Sequence, residues 1–305
     1  MMKYVFKRIL MMIVTLFFIV LITFILMHSV PGGPFTQERE LPAQVEAALN
    51  EKYHLNDPLP KQFFDYVMGI LRFDLGPSFK YQGKSVNDFI ENGFPVSAKL
   101  GGITILFILF VSIPLGIFAA VKNDKWQDML VMSLATIGVT IPSFVVATVL
   151  MYLFSYKLKW TPTFGLESWK GYILPVVALG GYSTAFIARL MRSSLLEVMG
   201  QDYIRTARAK GLTEAKIITR HALRNALIPV VTILGPTIAG LLTGSFVIEK
   251  IFAIPGMGVY FVDSVGQRDY TAIMGITVFY ATFLIAMVFI VDFFYLLIDP
   301  RIKYD

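Results

Sequence analysis

The strongest constraint in this sequence is a set of six charge-poor apolar runs, each long enough to cross a bilayer. About 20 helical residues span the hydrocarbon core. The runs lie at about 9–30, 99–121, 128–156, 171–198, 226–249 and 270–298. Backbone groups in lipid must bond within their own segment, so these runs are helices. A membrane barrel would instead need many alternating segments of roughly ten residues, a pattern this sequence does not carry. The expected architecture is an all-α integral membrane protein with six transmembrane helices.

Composition points the same way. Charged residues make up 16% of the chain and hydrophobic residues 56%. Soluble proteins average about 25% charged. The mean hydropathy is +0.66. A single soluble core could not hide that much apolar surface, and a disordered chain would not contain it. There are no cysteines, hence no disulfide and no thiolate metal or redox site. The three histidines are scattered, which argues against a His-rich metal site. The first run starts basic, with Lys3, Lys7 and Arg8, as a secretory signal does. Its core is too long, and it ends His28-Ser29-Val30-Pro31-Gly32-Gly33 rather than in a small-x-small cleavage site, so it reads as a retained helix.

Six spans put both termini on one side, and basic residues decide which. The N-terminus, the loop after span two (Lys122, Lys125), the loop after span four (Arg192, Arg205, Arg208, Lys210, Lys216, Arg220, Arg224) and the tail (Arg301, Lys303) together carry fourteen. The short loops of the opposite face carry five: Lys157, Lys159, Lys170, Lys250 and Arg268. Basic loops stay in the cytoplasm, so both termini are expected there. The net charge of +6 is thus a topology signal, not a sign of nucleic-acid binding.

Two segments lie outside the runs. Residues 31–97 are too many for a simple connection. They open on Pro31-Gly32-Gly33-Pro34. Leu41, Val45, Leu49 and Tyr53 recur at helical spacing, and Phe63, Phe64, Val67, Ile70 and Leu71 form a second stripe. Ser85-Val86-Asn87-Asp88 has the form of a capping box that starts a third helix. This reads as an extracytoplasmic helical insertion, which either covers helix ends or docks an outside partner. Gly83-Lys84-Ser85 imitates the end of a phosphate-binding loop, but residue 78, where the first glycine belongs, is Ser. No other such motif occurs, so nucleotide hydrolysis by this chain is not expected.

In the second segment, residues 199–225, Asp202 is a good helix N-cap, and Gly211 fits a left-handed stop. Thr213 can cap the next helix, with Glu214 in its first turn. Ala207 and Ala209 are small enough for close backbone approach, and Arg205 and Arg208 share one side. The result is a short helix, a glycine elbow and a second helix, which a merely solvated basic loop would not need. Within the spans, Gly240 and Gly244 have small-x-x-x-small spacing beside Pro229 and Pro236, suited to helix packing or to lining a passage. Pro114, Pro142 and Pro175 are possible kink sites. Arg189 and Asp292 lie near the inner ends of spans four and six. They form either an ion pair at an inner gate or two separately exposed charges.

Asp202-Tyr203-Ile204-Arg205-Thr206-Ala207-Arg208-Ala209-Lys210-Gly211-Leu212 resembles the coupling-helix motif of ABC importer permeases, in their peptide branch. His221-Ala222-Leu223-Arg224-Asn225-Ala226-Leu227, Phe252-Ala253-Ile254-Pro255-Gly256-Met257-Gly258, Arg268-Asp269-Tyr270 and Asp299-Pro300-Arg301 extend the likeness. Asp74-Leu75-Gly76-Pro77-Ser78 and the Pro-Gly-Gly-Pro after span one are similar to the B-type oligopeptide permease subunit. The chain departs from the general importer pattern: Arg205 stands where a Glu is usual, and Thr206 where the first Ala is.

The resemblance implies one permease domain over 1–305 with the type I ABC importer fold, and a role for 202–212 in contacting an ATPase. It implies a second homologous permease subunit, two cytoplasmic ABC ATPases and an extracytoplasmic peptide-binding protein. ATP and Mg would be held by the ATPases, with no cofactor or metal on this chain. The setting would be the bacterial cytoplasmic membrane, with lipid but no nucleic acid as a partner. The implied activity is oligopeptide import by alternating access, with dipeptide, nickel or glutathione import as alternatives. Thr232, Thr237, Thr243 and Ser245 are then candidates to bond a passing peptide backbone. Rival classes fit less well. An ion-coupled transporter usually shows an internal repeat and midplane ionisable residues, an intramembrane enzyme needs a nucleophile–base or metal pair, and a scaffold leaves the elbow unexplained.

Overall fold

The structure is a computed structural model that describes residues 2–31, 33 and 50–298, with side chains over 6–31, 33 and 50–290. Its helices are α1 (Met2–Ser29), α2 (Leu59–Leu71), α3 (Val86–Val121), α4 (Trp126–Thr140), α5 (Ser143–Leu150), α6 (Trp169–Met199), α7 (Asp202–Ala209), α8 (Leu223–Leu242), α9 (Phe246–Ile251), α10 (Met257–Gln267) and α11 (Tyr270–Ile298). A π-helical turn, Met151–Lys157, continues α5, and another, Ile217–Ala222, leads into α8. Among the described residues, the extended pairing is confined to an isolated bridge between Pro77 and Ser85. The all-α expectation holds.

Among the described residues, five helices are long and apolar enough to cross a membrane, and α4 with α5 makes a sixth span if the pair is counted as one. That pair bends by 106°. Pro142 has no N–H to give, and the residue before a proline avoids helical torsions. Ile141 accordingly sits at φ −83°, ψ 126°. Pro114 and Pro175, by contrast, lie inside continuous helices.

Two further boundaries differ from the sequence reading. The capping box forms: Asp88 N donates to Ser85 Oγ at 3.2 Å, and Ser85 N to Asp88 Oδ2 at 2.7 Å. It does not start a separate helix, however. It opens α3, which runs through Pro95 and Pro114 to Val121. The fifth run is also not one helix. α8 stops at Leu242, and Gly244 takes φ +88°, a left-handed torsion natural to glycine, before α9 begins.

The Phe63 stripe forms α2. It lies on α1, with Phe63 edge-on to Phe24 at 5.3 Å between centroids and Gln62 bonded to His28 at 3.1 Å. Leu41, Val45 and Leu49 lie outside the described residues, as do Gly32, Pro34 and Asp299-Pro300-Arg301.

Three buried apolar clusters hold the bundle together, and α3 runs through all of them. Val86 and Phe89 join Met257, Ala272 and Ile276 at one end. Leu100 joins Leu174, Ile248 and Ile254 in the middle. Ile108 and Ala120 join Met191, Leu195, Ile204 and Ala226 at the other end.

Candidate coupling surface

The elbow after α6 is built into the bundle rather than hung from it. Gln201, not Asp202, is the N-cap of α7; Asp202 is the first helical residue and makes no side-chain cap bond. There it still favours the helix dipole as an anion in the first turn. Of the eight residues of α7, Ile204 and Ala207 are buried. They share a cluster with Met191 and Leu195 of α6 and with Ile217 and Ala222 ahead of α8. At a spacing of three they fix one face inward. Asp202, Arg205, Thr206 and Ala209 remain exposed on the outside. Ala207, read from the sequence as a close-approach position, is therefore spent on the chain's own core, and Ala209 is the small residue left facing out.

The elbow is braced. Lys210 ends α7, and Gly211 reverses the chain at φ +77°. Thr213 sits at the next N-cap, without a side-chain bond. Arg208 Nε donates to Glu214 Oε1 at 2.7 Å across the turn. That hydrogen bond raises the Arg208 pKa above its ordinary value and lowers that of the Glu214 carboxyl. Asn225 Nδ2 donates to the Tyr203 hydroxyl at 2.8 Å, tying α7 to α8. Both links are exposed and each is energetically modest; their effect is to fix geometry.

The side chain of Asp292 lies outside the described residues. Arg189 is half-buried, and its Nη2 has no partner among the described residues. Arg192, one turn further along α6, forms an ion pair with Asp128. Its Nε donates to Asp128 Oδ1 at 2.6 Å, and its Nη2 to Asn123 Oδ1 at 2.9 Å. This joins the α3–α4 turn to α6 just before the elbow. The signal was an acid in the first turn of α4, legible as a helix-start residue but not as a partner.

On α8, Ile228, Thr232, Pro236 and Gly240 recur every four residues and are all exposed. A Cβ on Gly240 would meet nothing within 4 Å, whereas one on Gly244 would run into Glu249 and Ser97. The two glycines do not form one packing face, because Gly244 lies beyond the helix end. The hydroxyls of Thr232 and Thr237 donate to their own helix, to Ile228 O at 3.0 Å and Ile233 O at 2.8 Å. Thr243 donates to Gly240 O at 2.7 Å, and Ser245 caps α9 by accepting from Ile248 N at 3.4 Å.

Sequence reasoning missed a fully buried carboxylate, Glu249. Its Oε2 accepts from Gly258 N at 2.7 Å and its Oε1 from Ser245 N at 3.3 Å. Ser97 Oγ, alongside, accepts from Met257 N at 2.9 Å. The signal was an acid among glycines 244, 256 and 258, where side chains would fill the space the carboxylate occupies. Among the described residues no His, Asp and Glu gather as a metal site would.

Residues 112–304 match the family described as the binding-protein-dependent transport system inner membrane component, and residues 1–101 match the N-terminal part of such membrane components. The chain belongs to this family. It is 51% identical to the dipeptide transport system permease protein of Bacillus subtilis, over 99% of this chain and 98% of that one. It is 46% identical to the oligopeptide transport system permease protein of Haemophilus influenzae, over 100% of both. In fold it resembles a methionine ABC transporter solved in inward-facing conformations, with a TM-score of 0.56 at 21% identity over 71% of this chain and 97% of that one.

In this permease the stretches that carry the family likeness meet in space. Asp269, fully buried, accepts from Phe79 N at 3.1 Å, Ala272 N at 3.2 Å and the Ser78 hydroxyl. That joins Asp74–Ser78 to Arg268–Tyr270. Ser97 of α3 and Glu249 of α9 likewise hold the Pro255–Gly258 turn. These motifs are far apart in sequence; the fold makes them two fastenings of α3 and its leading loop to α10 and α11.

Proposed function

We propose that this chain is the peptide-conducting permease subunit of an ATP-driven importer, working by alternating access beside a second, homologous permease subunit. Two cytoplasmic ATPases supply the drive, and an extracytoplasmic binding protein delivers the peptide. The observation that carries the proposal is the divided surface of α7. Ile204 and Ala207 anchor it in the bundle core, while Arg205, Thr206 and Ala209 face out at the basic end of the molecule. A helix held that way moves with the spans when an ATPase moves it. ATP shifts the spans only as far as its affinity differs between the two states. The exposed stripe of α8 is the surface we assign to the passage or to the second permease. Residues 31–97 are the surface we assign to the binding protein, and both termini to the cytoplasm.

Oligopeptides are the proposed cargo. Dipeptides are the second reading, favoured by the 51% identity to a dipeptide permease. The test is uptake by the assembled transporter in vesicles, with size-graded peptides and nickel as competitors. Ala209→Glu is expected to lower uptake by roughly tenfold, within the usual range of coupling energies, while ATP hydrolysis continues. Wild-type uptake by that variant would remove α7 from the coupling role. Competition by nickel alone would remove the peptide assignment.

A further inference from the structure

Between α3 and α6 a groove of about 370 Å³ opens sideways, with Leu106 and Phe110 on one wall and Trp169 and Ile173 on the other. A second hollow of about 350 Å³ adjoins it at Trp169, Ile173 and Val177, roofed by Phe154 and Trp160 of the segment that follows the α4–α5 bend. The walls are apolar and the exposed rings are large: Phe110 is 76% accessible and Trp169 71%. A helix bundle in lipid meets acyl chains along such a wall.

The rim of the groove has a different chemistry. Lys99 Nζ stands 5.3 Å over the ring of Tyr172, and Lys170 Nζ 6.0 Å from the ring of Trp169; both rings line the groove. Aromatic rings hold a cation by its charge and mark the level of lipid headgroups. Lysines at such a level place their stems on apolar surface and their ammonium groups in the headgroup layer. The connecting segment 157–170 holds Lys157, Lys159 and Lys170 against a single acid, Glu167. An apolar trough with a cationic rim matches a ligand that has an anionic head and hydrocarbon tails.

We infer that the α3–α6 groove is a specific site for an anionic phospholipid, with the phosphate between Lys99 and Lys170 and an acyl chain along Leu106 and Ile173. The inference needs only the membrane-spanning fold, so it stands apart from the peptide assignment.

The test is native mass spectrometry of the assembled transporter titrated with phosphatidylglycerol or phosphatidylcholine. Wild type is expected to retain phosphatidylglycerol in preference. Lys99→Gln or Lys170→Gln should each weaken that retention about fivefold, and the pair roughly twenty-five-fold, from the usual attraction of one lysine to an anionic surface. All three variants change exposed side chains, so they should assemble normally. A photoreactive residue at Phe110 is expected to cross-link to lipid. Equal retention of the two lipids by wild type, unchanged selectivity in the double variant, or cross-links only to a protein subunit would each overturn the site.

Discussion

A carboxylate with no solvent exposure in a membrane bundle must find its hydrogen bonds inside the protein, because stranding it is costly. Glu249 meets that condition with two backbone N–H donors, from Gly258 and Ser245. Glu249→Ala orphans both donors, and each buried unsatisfied group costs about 1–3 kcal/mol. The purified protein should therefore unfold at a clearly lower temperature, with Glu249→Gln between it and wild type, since an amide keeps only one acceptor oxygen. An alanine variant that melts with wild type would show the bonds to be idle. Single residues were the least legible scale in the sequence. Helical spacing and capping rules put a basic residue near the inner end of α6 and a helix start near residue 202. They could not name Arg192 as the partner of Asp128, nor Gln201 rather than Asp202 as the cap. The first is settled by which neighbour packing brings within reach, and that information is not local.

At the scale of elements, apolar runs identified the helices well, because lipid leaves the backbone no alternative. Where a run bends was less legible. Pro142 and Gly244 interrupt their runs, while Pro95, Pro114 and Pro175 do not. Proline alone does not decide a break; the outcome depends on whether neighbouring helices re-satisfy the freed carbonyl. The bend between α4 and α5 can be measured. Met129 and Tyr156 are both exposed and suited to spin labels. A straight helix would hold them about 40 Å apart at about 1.5 Å per residue. The 106° bend should bring them to about 25 Å. Dipolar spectroscopy on the assembled transporter is expected to find the shorter distance. A single population near the longer one would mean that the third span is straight.

For the whole molecule, the remaining question is which end faces the cell interior, and the two ends differ in kind. One end carries the α7 elbow and its basic loop from Arg192 to Arg224. The other carries α2 and the Asp269 and Glu249 fastenings. α3 is 36 residues long and joins a buried cluster at each end, so the two surfaces are rigidly related. Fixing the side of one fixes the other. The chain has no cysteine, so single introduced thiols report without background. Lys84 lies just before α3 and Lys210 at the end of α7, and both are exposed. With basic loops retained inside, a membrane-impermeant maleimide should label Lys84→Cys on intact cells and Lys210→Cys only after permeabilisation. In inverted vesicles the order should reverse. Labelling of Lys210→Cys on intact cells would invert the topology and detach α7 from any cytoplasmic ATPase. The lysine rim of the α3–α6 groove would then belong to the inner leaflet, with its preference for an anionic lipid unchanged.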